Sequence, residues 1–358
     1  MLVTLVALSA WLLGSLAGVA PSSESPGGSV ASARATTASD TLTAVRQTLD
    51  DQTLTATNKV WRIVNQTAPE LPTPPSGRPP PIGDRRGWRQ VFLDDFRTNV
   101  PLGEFPENPA TVNRWWAYPP NWHDTSGNGT YDAHRTVSIQ GGLLNIYLHT
   151  DPTTGTPLVA ALVPKPSGAS GDSTHPNLLY GRYAIRFRAD PLPRYKVASI
   201  IWPASGDLLA DGEIDFPEGR FDDTIHGYVH HTNGSSGGDQ DRFVTRARFP
   251  NWHTATIAWT PGKVRYSLDG KLVGTSTKRV PNSPMRWIIQ TETGIGTGVP
   301  DPRTAGFFQI DWVAIWHPVH VMTADEILTR ITAILNKTSL TDATKVRRIH
   351  KVSTSLQP

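Results

Sequence analysis

Residues 211 to 220 read DGEIDFPEGR and place three carboxylates in a run that otherwise predicts a buried strand. Side chains on a strand alternate between its two faces, so Glu213 and Asp215 point the same way. Glu218 comes three residues after Asp215 and would point away unless a β-bulge inserts one extra residue. Proline cannot donate to a sheet ladder, so Pro217 predicts a bulge at Phe216-Pro217. All three carboxylates then face one side.

The two glutamates have a spacing that suits cleavage of a glycosidic bond. Counted as four strand steps, their Cα atoms lie roughly 13 Å apart, and side chains that lean inward bring the carboxyls to about 5 Å. Retaining glycoside hydrolases use this separation. Of the neighbouring residues only Arg220 could neutralise the acids, so we interpret the costly cluster as functional.

Other interpretations of the acidic cluster remain open at this point. The acids could line an ordinary solvated strand face, and Asp-Gly-Glu could form a simple turn. A metal site could combine the acids with His226, His230 and His231, of which the first two share a strand face. Dedicated metal sites group their ligands more tightly than this, which argues against the metal site.

The run Glu213-Ile-Asp215-Phe-Pro-Glu218 resembles the E-x-D-x-x-E signature of glycoside hydrolase family 16, in its laminarinase-like form with a bulged strand. The likeness extends in order over residues 86–318. It is carried by RQVFLDDF (89–96), NRWWAY (113–118), GGLLNIYLHT (141–150), YGRYAIRFRADPLPRYKVASIIWP (180–203), NWHTATIAWTPGKVRYSLDGKLVGT (251–275) and FFQIDWVAIW (307–316). The resemblance implies an all-β, concanavalin-like jelly roll of two antiparallel sheets with a concave glycan-binding cleft.

Composition favours the same fold class without the resemblance. Between residues 86 and 318, short stretches rich in Val, Ile, Tyr, Phe and Trp alternate with turn clusters such as TSGNGT and TNGSSGGD. No helix-length amphipathic stretch interrupts them. An antiparallel sandwich is therefore predicted, and a parallel sheet built with crossover helices is not.

Composition also predicts five parts along the chain. They are a signal peptide (1–33), a helical N-terminal segment (34–66), a proline-rich linker (67–85), a catalytic domain (86–318) and a helical C-terminal tail (319–358). A retained membrane anchor is the alternative for the apolar N-terminal run, because no positive residues precede it. The apolar stripes of the terminal helices could pack on each other, on the sandwich or on a cell-surface partner.

The chain has no cysteine, which excludes thiol catalysis and cysteine-ligated metals and fits an exported domain large enough to fold without disulfides. Its formal charge is only +3, and no cluster of basic and aromatic residues predicts nucleic-acid binding. We expect a secreted or cell-surface monomer whose partner is a polysaccharide. The terminal helices are candidates for association with the cell envelope.

The resemblance assigns a role to each acid. Glu213 would be the nucleophile, Glu218 the general acid and then the base, and Asp215 the residue that holds and tunes the nucleophile. The negative charges of Glu213 and Asp215 favour the protonated form of Glu218, and loss of charge when Glu213 forms an ester favours its ionised form. This chemistry requires no cofactor.

Several aromatic residues are candidates for substrate binding, because flat indole faces stack on sugar rings. Trp202 matches a tryptophan near the cleft floor in the family. Trp115 and Trp116 are adjacent, so one is expected in the core and the other in the cleft. His230 matches a family histidine on the strand after the catalytic one.

Two polar residues on the stretch MRWIIQTETG are further candidates. Alternation places Gln290 and Glu292 on one face, which we expect to be the cleft. Family members that act on β-1,3-glucan usually have an apolar residue followed by glycine there, so this chain departs from their pattern.

Asp311 matches an aspartate that binds a structural calcium on the convex side of some relatives. Carboxylate oxygens suit calcium, and Asp311 is therefore a candidate metal ligand. An ordinary strand-edge acid beside Trp312 is the alternative.

These observations predict a secreted retaining endo-β-glycosidase that acts on a β-glucan, such as a β-1,3- or β-1,3/1,4-glucan. The alternatives are a transglycosylase, a hydrolase of a galactan-type or other cell-wall polysaccharide, and a noncatalytic glycan-binding surface protein.

Overall fold

The computed structural model describes residues 37–67, 74–319 and 324–353. The signal peptide predicted for residues 1–33 lies outside these ranges, as does the stretch of the predicted linker from 68 to 73. Within the described ranges, no helix has both the length and the apolar character that crossing a membrane requires.

Short alternating apolar stretches form most of the structure between residues 88 and 318. In chain order these strands are β1 (Trp88–Asp94), β2 (Trp115–Ala117), β3 (Thr130–Tyr131), β4 (Val137–Gln140), β5 (Leu143–Thr150), β6 (Pro157–Val159), β7 (Ala161–Pro164), β8 (Gly181–Ala189), β9 (Tyr195–Pro203), β10 (Glu213–Arg220), β11 (Thr224–His230), β12 (Gln240–Arg248), β13 (His253–Thr260), β14 (Lys263–Leu268), β15 (Lys271–Ser276), β16 (Met285–Thr293) and β17 (Gly306–Pro318).

The strands form two sheets. The larger follows the order β15-β14-β13-β8-β17-β5-β6-β3, with β1 also paired to β17 and β4 to β5. The smaller follows the order β12-β11-β10-β9-β16-β7-β2. Neighbouring strands run antiparallel, except that β3 and β6 are parallel. The strand β10, which carries the acidic cluster, therefore lies inside the smaller sheet, between β9 and β11.

The two sheets pack face to face through large side chains. Phe216 of β10 contacts Tyr266 of β14 with ring centroids 4.9 Å apart, and Trp287 of β16 contacts Tyr183 of β8 at 5.4 Å. The Tyr266 hydroxyl also donates a hydrogen bond of 2.5 Å to the Tyr228 carbonyl, which links the sheets by a polar contact. The predicted all-β sandwich is confirmed.

Helices occur mainly at the two ends of the chain. They are α1 (Ala38–Asp50), α2 (Ala56–Thr67), the single turns α3 (Ala133–Thr136) and α4 (Leu208–Asp211), α5 (Ala324–Leu335) and α6 (Asp342–Ser353). The four terminal helices bury their apolar stripes against each other, in a separate core made of Leu42, Val45, Val60, Ile63, Ile327, Ile331, Leu335 and Ile349. The apolar stripes therefore pack on each other, which is the first of the three alternatives considered above.

The described part of the proline-rich segment contacts the sandwich. It lies along the outer face of the larger sheet, the face turned away from the sandwich core. The Trp312 and Trp316 indole N–H groups donate to the carbonyls of Arg78 and Gly83 at 3.1 and 2.9 Å. Backbone carbonyls that lack regular secondary structure need such donors when they pack against protein.

Candidate active site

The bulge predicted on β10 is present. The register of β10 shifts between Asp215 and Glu218 against both neighbouring strands, and the Phe216-Pro217 peptide bond is cis. Gly219 follows with a φ of 146°, and a Cβ there would lie 2.7 Å from the Thr224 carbonyl oxygen, so the bulge needs glycine at this position.

The face of the smaller sheet that points away from the sandwich core is called the open face below. Glu213 and Glu218 lie on it beside His230 and His226, their register partners on β11. The side of β10 that faces the core carries Ile214 and Phe216, both fully buried. The extra residue of the bulge thus brings all three acids to one side, as alternation and Pro217 predicted.

Glu213, Asp215 and His230 form a tight group, with one oxygen or nitrogen of each within 4.8 Å of the others. His230 Nε2 lies 3.4 Å from Asp215 Oδ2, and Nδ1 lies 2.8 Å from the Gly237 carbonyl. Because a carbonyl only accepts hydrogen bonds, Nδ1 carries the proton. Asp215 is buried, and neither carboxylate oxygen has a hydrogen-bond donor among the described residues.

Burial controls the protonation of the two neighbouring acids. Burial raises the pKa of Asp215, and the Glu218 charge raises it further. Burial likewise raises the pKa of Glu213, as does the nearby charge of Asp215. Two carboxyls in such contact favour a state in which they share one proton. A shared proton leaves one negative charge for attack on an electrophile.

The other two histidines considered as metal ligands do not approach this group. His226 contacts the Thr224 hydroxyl at 2.9 Å and the Tyr228 hydroxyl at 3.1 Å. His231 pairs with Asp239 at 2.8 Å. The predicted combination of three histidines with the acids is therefore not assembled.

Glu218 has a cationic partner that the sequence analysis missed. Lys196 Nζ lies 2.9 Å from Glu218 Oε1 and 3.6 Å from Glu292 Oε2. The expected neutralising residue, Arg220, instead pairs with Asp222 at 3.1 Å and lies outside the cluster. Alternation along β9 offers the missed signal, because Lys196 is an even number of residues from the predicted cleft residue Trp202.

Glu292 lies on the predicted face but is not available to a substrate. Its Oε1 accepts hydrogen bonds from the Thr125 amide at 3.1 Å, the Thr125 hydroxyl at 2.5 Å and the Tyr131 hydroxyl at 3.0 Å. These donors come from residues 123–131, which cover it. Its assignment as a sugar ligand is therefore corrected. Gln290 lies on the same face, next to Ala198 in register, and is largely buried.

The structure separates the adjacent tryptophans. Trp115 is buried, its ring centroid 5.4 Å from that of Phe92, and its indole N–H donates to Asp94 at 2.8 Å. Its assignment to substrate binding is therefore wrong, because its ring lies in the core. Trp116 is only half-buried and packs beside Tyr118 at 5.4 Å.

Trp202 lies half-buried on the open face, and its register partner on β16 is Arg286. The sequence analysis missed Arg286. Burial raises the pKa of the Tyr118 hydroxyl, and Arg286 beside it offsets part of that rise. The Arg286 Nε is buried without a hydrogen-bond acceptor among the described residues. Arg286 lies four residues before Gln290 on β16, so alternation along the strand puts both on the same face. This pattern could have placed Arg286 in the predicted cleft.

The two carboxylate oxygens of Asp311 differ in their surroundings, since Oδ1 is buried without a hydrogen-bond donor among the described residues. Asp311 Oδ2 accepts a hydrogen bond from the Ser76 hydroxyl, and that hydroxyl accepts one from Arg186 Nε at 3.1 Å. Calcium needs six to eight oxygen ligands, whereas here a guanidinium lies beside the carboxylate. Burial raises the pKa of Asp311. Asp311 is thus part of a polar contact with the proline-rich segment, and its role as a calcium ligand stays a prediction.

Residues 130–314 match the family model described as "Glycosyl hydrolases family 16". The chain is 27% identical over 225 residues to glucan endo-1,3-beta-glucosidase A1 of Niallia circulans, a match that covers 55% of this chain and 31% of that protein. The chain thus matches about a third of the length of this curated relative.

Solved structures share the fold at low identity. The laminarinase from Rhodothermus marinus is 23% identical with a TM-score of 0.53, covering 66% of this chain and 99% of that chain. The laminarinase catalytic domain from Thermotoga maritima is 20% identical with a TM-score of 0.51, covering 65% of this chain and 99% of that chain. At these identities the likeness concerns the fold.

Proposed function

The chain belongs to glycosyl hydrolase family 16, and from this premise we propose that it is a retaining endo-acting hydrolase of a β-1,3- or β-1,3/1,4-glucan. The observation that carries the proposal is the bulged strand β10, which brings Glu213, Asp215 and Glu218 to the open face. The names of the relatives, a glucan endo-1,3-beta-glucosidase and two laminarinases, support a β-glucan as the substrate.

In the proposed first step, a Glu213 oxygen attacks the anomeric carbon while the bond from that carbon to the leaving oxygen breaks. Glu218 gives its proton to the leaving oxygen. Asp215 takes up the proton that it shares with Glu213, so the attacking oxygen carries the charge. His230 Nε2 lies 3.4 Å from Asp215 Oδ2 and can accept a hydrogen bond from Asp215 once Asp215 carries the proton.

In the proposed second step, Glu218 accepts a proton from water while the water oxygen attacks the anomeric carbon. The ester bond to Glu213 breaks, and the product keeps the configuration of the substrate. A sugar hydroxyl in place of water would give transglycosylation by the same groups. Neither step requires a metal or another cofactor.

Trp116 and Trp202 are the proposed stacking surfaces for sugar rings, because both are half-buried on the open face. A second candidate substrate, a galactan-type or other cell-wall polysaccharide, is supported by β16. That strand presents Arg286 beside Trp202 and a buried Glu292 at its other end, which differs from the apolar-then-glycine pattern.

We propose further that the protein is exported and acts as a monomer on its polysaccharide. The apolar N-terminal run motivates the proposal of export, and the amino terminus of the exported protein, sequenced after cleavage, tests it. Association of the terminal helices with the cell envelope would have to use their outer faces, since their apolar stripes are buried in the helical core.

A polysaccharide panel tests the proposed function. Wild type should release oligosaccharides from laminarin or lichenan, and Glu213→Ala should release none. Proton NMR of the first product should show the β-anomer before mutarotation. Activity only on a galactan-type glycan would favour the second candidate, and no release from any glycan would contradict both.

A further inference from the structure

We propose that Lys196 is a positioning residue that sets the pH range in which Glu218 acts, and that Glu292 holds Lys196 in that role. The proposal rests on the proposed glycosidase function and adds to it two residues that do not touch the reacting atoms. Lys196 acts through Glu218, and Glu292 acts through Lys196.

The first observation is the position of Lys196 between two carboxylates. The side chains of Lys196, Glu218 and Glu292 keep only 12%, 19% and 1% of their exposure. Because little water surrounds the three charges, each acts on the others more strongly than a surface pair would. Lys196 is closest to Glu218, at 2.9 Å.

The second observation is that Glu292 is fixed in place. Thr125 and Tyr131 occupy its Oε1 with three donors, so Oε2 is the oxygen directed at Lys196. The covering loop is itself anchored, because Asp124 accepts hydrogen bonds of 2.7 Å from the amide and hydroxyl of Thr293. Glu292 is therefore a preorganised counter-charge.

The ammonium of Lys196 is a constant charge over the working pH range. Burial alone would lower its pKa, but Glu218 and Glu292 outweigh burial and raise it. Lys196 therefore stays protonated while the acid-base groups around it titrate.

This arrangement resolves a conflict in what Glu218 must do. A cation at 2.9 Å favours the carboxylate, yet the first step needs a protonated acid. Glu292 offsets part of the ammonium charge, so Glu218 can still hold a proton. When Glu218 gives up that proton, Lys196 stabilises the carboxylate, which is the form that the second step needs as a base.

Other charged and titratable groups also face Glu218. They are Glu213 and Asp215 on β10, His226 and Tyr228 on β11, Arg242 on β12 and Tyr266 from the larger sheet. Burial and Arg242 lower the pKa of His226, which favours its neutral form. All of these groups are retained in the variants below, so differences between variants report on Lys196 and Glu292.

The test measures kcat/KM against pH for three variants and one control variant. The readout is the alkaline limb of the profile, because activity falls there as the general acid loses its proton. Lys196→Met should move the limb about one pH unit upward, and Glu292→Gln should move it downward. Lys196→Arg should restore the wild-type limb. Arg220→Gln is the matched control, since it removes an exposed cation from β10 and should shift the limb much less.

A titration without substrate separates this proposal from the proposed function. Carboxyl carbon NMR of the free protein can follow the titration of Glu218, whose signal is assigned by its loss in Glu218→Gln. The pH at which this signal titrates should move upward in Lys196→Met and downward in Glu292→Gln. If no glycan is cleaved, the proposed glycosidase function is wrong, but this titration still tests the proposed role of Lys196. Shifts of the same sign, or no larger than in Arg220→Gln, would overturn the proposal. If Lys196→Met does not fold, Glu292→Gln alone decides it in the same way.

Discussion

The open face and the outer face of the sandwich both bury acidic side chains beside a cation, but Glu218 of the open face stays partly exposed whereas Asp311 of the outer face is buried. On the outer face, Ser76 of the proline-rich segment lies between Arg186 and Asp311. On the open face, Lys196 and Glu218 remain partly exposed above a buried Glu292. A buried acid beside a cation is therefore not by itself a site, and access for a ligand distinguishes the two clusters.

The largest expected effect is loss of turnover on removal of either glutamate of the open face. Glu213→Ala should lower kcat on a β-glucan by about 10⁴-fold or more, because it removes the proposed nucleophile. Glu218→Ala should cost about 10²- to 10⁴-fold on the same glycan and much less on an activated aryl glycoside. Asp222→Asn, an exposed acid after β10, is the control and should keep full activity.

A smaller loss is expected for Asp215→Asn. In the proposed mechanism Asp215 shares a proton with Glu213 and forms no bond to the substrate, so its replacement should cost about 10²-fold less than loss of the nucleophile. Steady-state kinetics of the two variants side by side would check this. A larger loss for Asp215→Asn than for Glu213→Ala would reverse the assigned roles.

The adjacent tryptophans test the difference between covered and open positions directly. Trp115→Ala should lower the free energy of unfolding by about 3 to 5 kcal/mol, because its ring fills the core. Trp116→Ala should change stability little and raise KM by roughly 3- to 10-fold through loss of stacking. Denaturant melts and kinetics of both variants measure the contrast, which would fail if the two variants behaved alike.

The smallest effects are expected at Asp311. Burial raises the pKa of Asp311 in the folded protein, so the stability it contributes is present below its unfolded pKa and is lost as pH rises through the folded pKa. The melting temperature of Asp311→Asn minus that of wild type should therefore increase as pH is raised from about 3 to 7. Asp190→Asn, an acid at another site, serves as the control.

If Asp311 is a calcium ligand, calcium should raise the melting temperature of wild type and a chelator should lower it, and no change in either would mean that it is not. A rise with calcium that Asp311→Asn abolishes would show that this part of the outer face does bind the ion.

Local patterns predicted the acidic strand well. Alternation and one proline suffice to place Glu213, Asp215 and Glu218 on one face, since the whole arrangement lies within eight residues of β10. Alternation also required Trp115 and Trp116 to face opposite ways. It could not say which was buried, because that depends on Phe92 of a separate strand.

The missed features all depend on contacts between distant segments. Lys196 and Glu292 meet because β9 pairs with β16, and the sequence pattern does not state that order. Residues 74–85 contain no helix and no extended strand, which their proline-rich composition explains. That composition carries no signal that these residues pack on Trp312 and Trp316, since a backbone carbonyl accepts a hydrogen bond whatever its side chain.

The central claim is that the two glutamates of β10 divide the roles of nucleophile and acid-base. Azide rescue on an activated aryl β-glucoside tests this claim most directly. In Glu213→Ala, azide should attack in place of the missing nucleophile and give the α-glycosyl azide. In Glu218→Ala, the covalent intermediate should form and azide should release it as the β-glycosyl azide. NMR of the two products distinguishes them, and the same anomer from both variants would contradict the account.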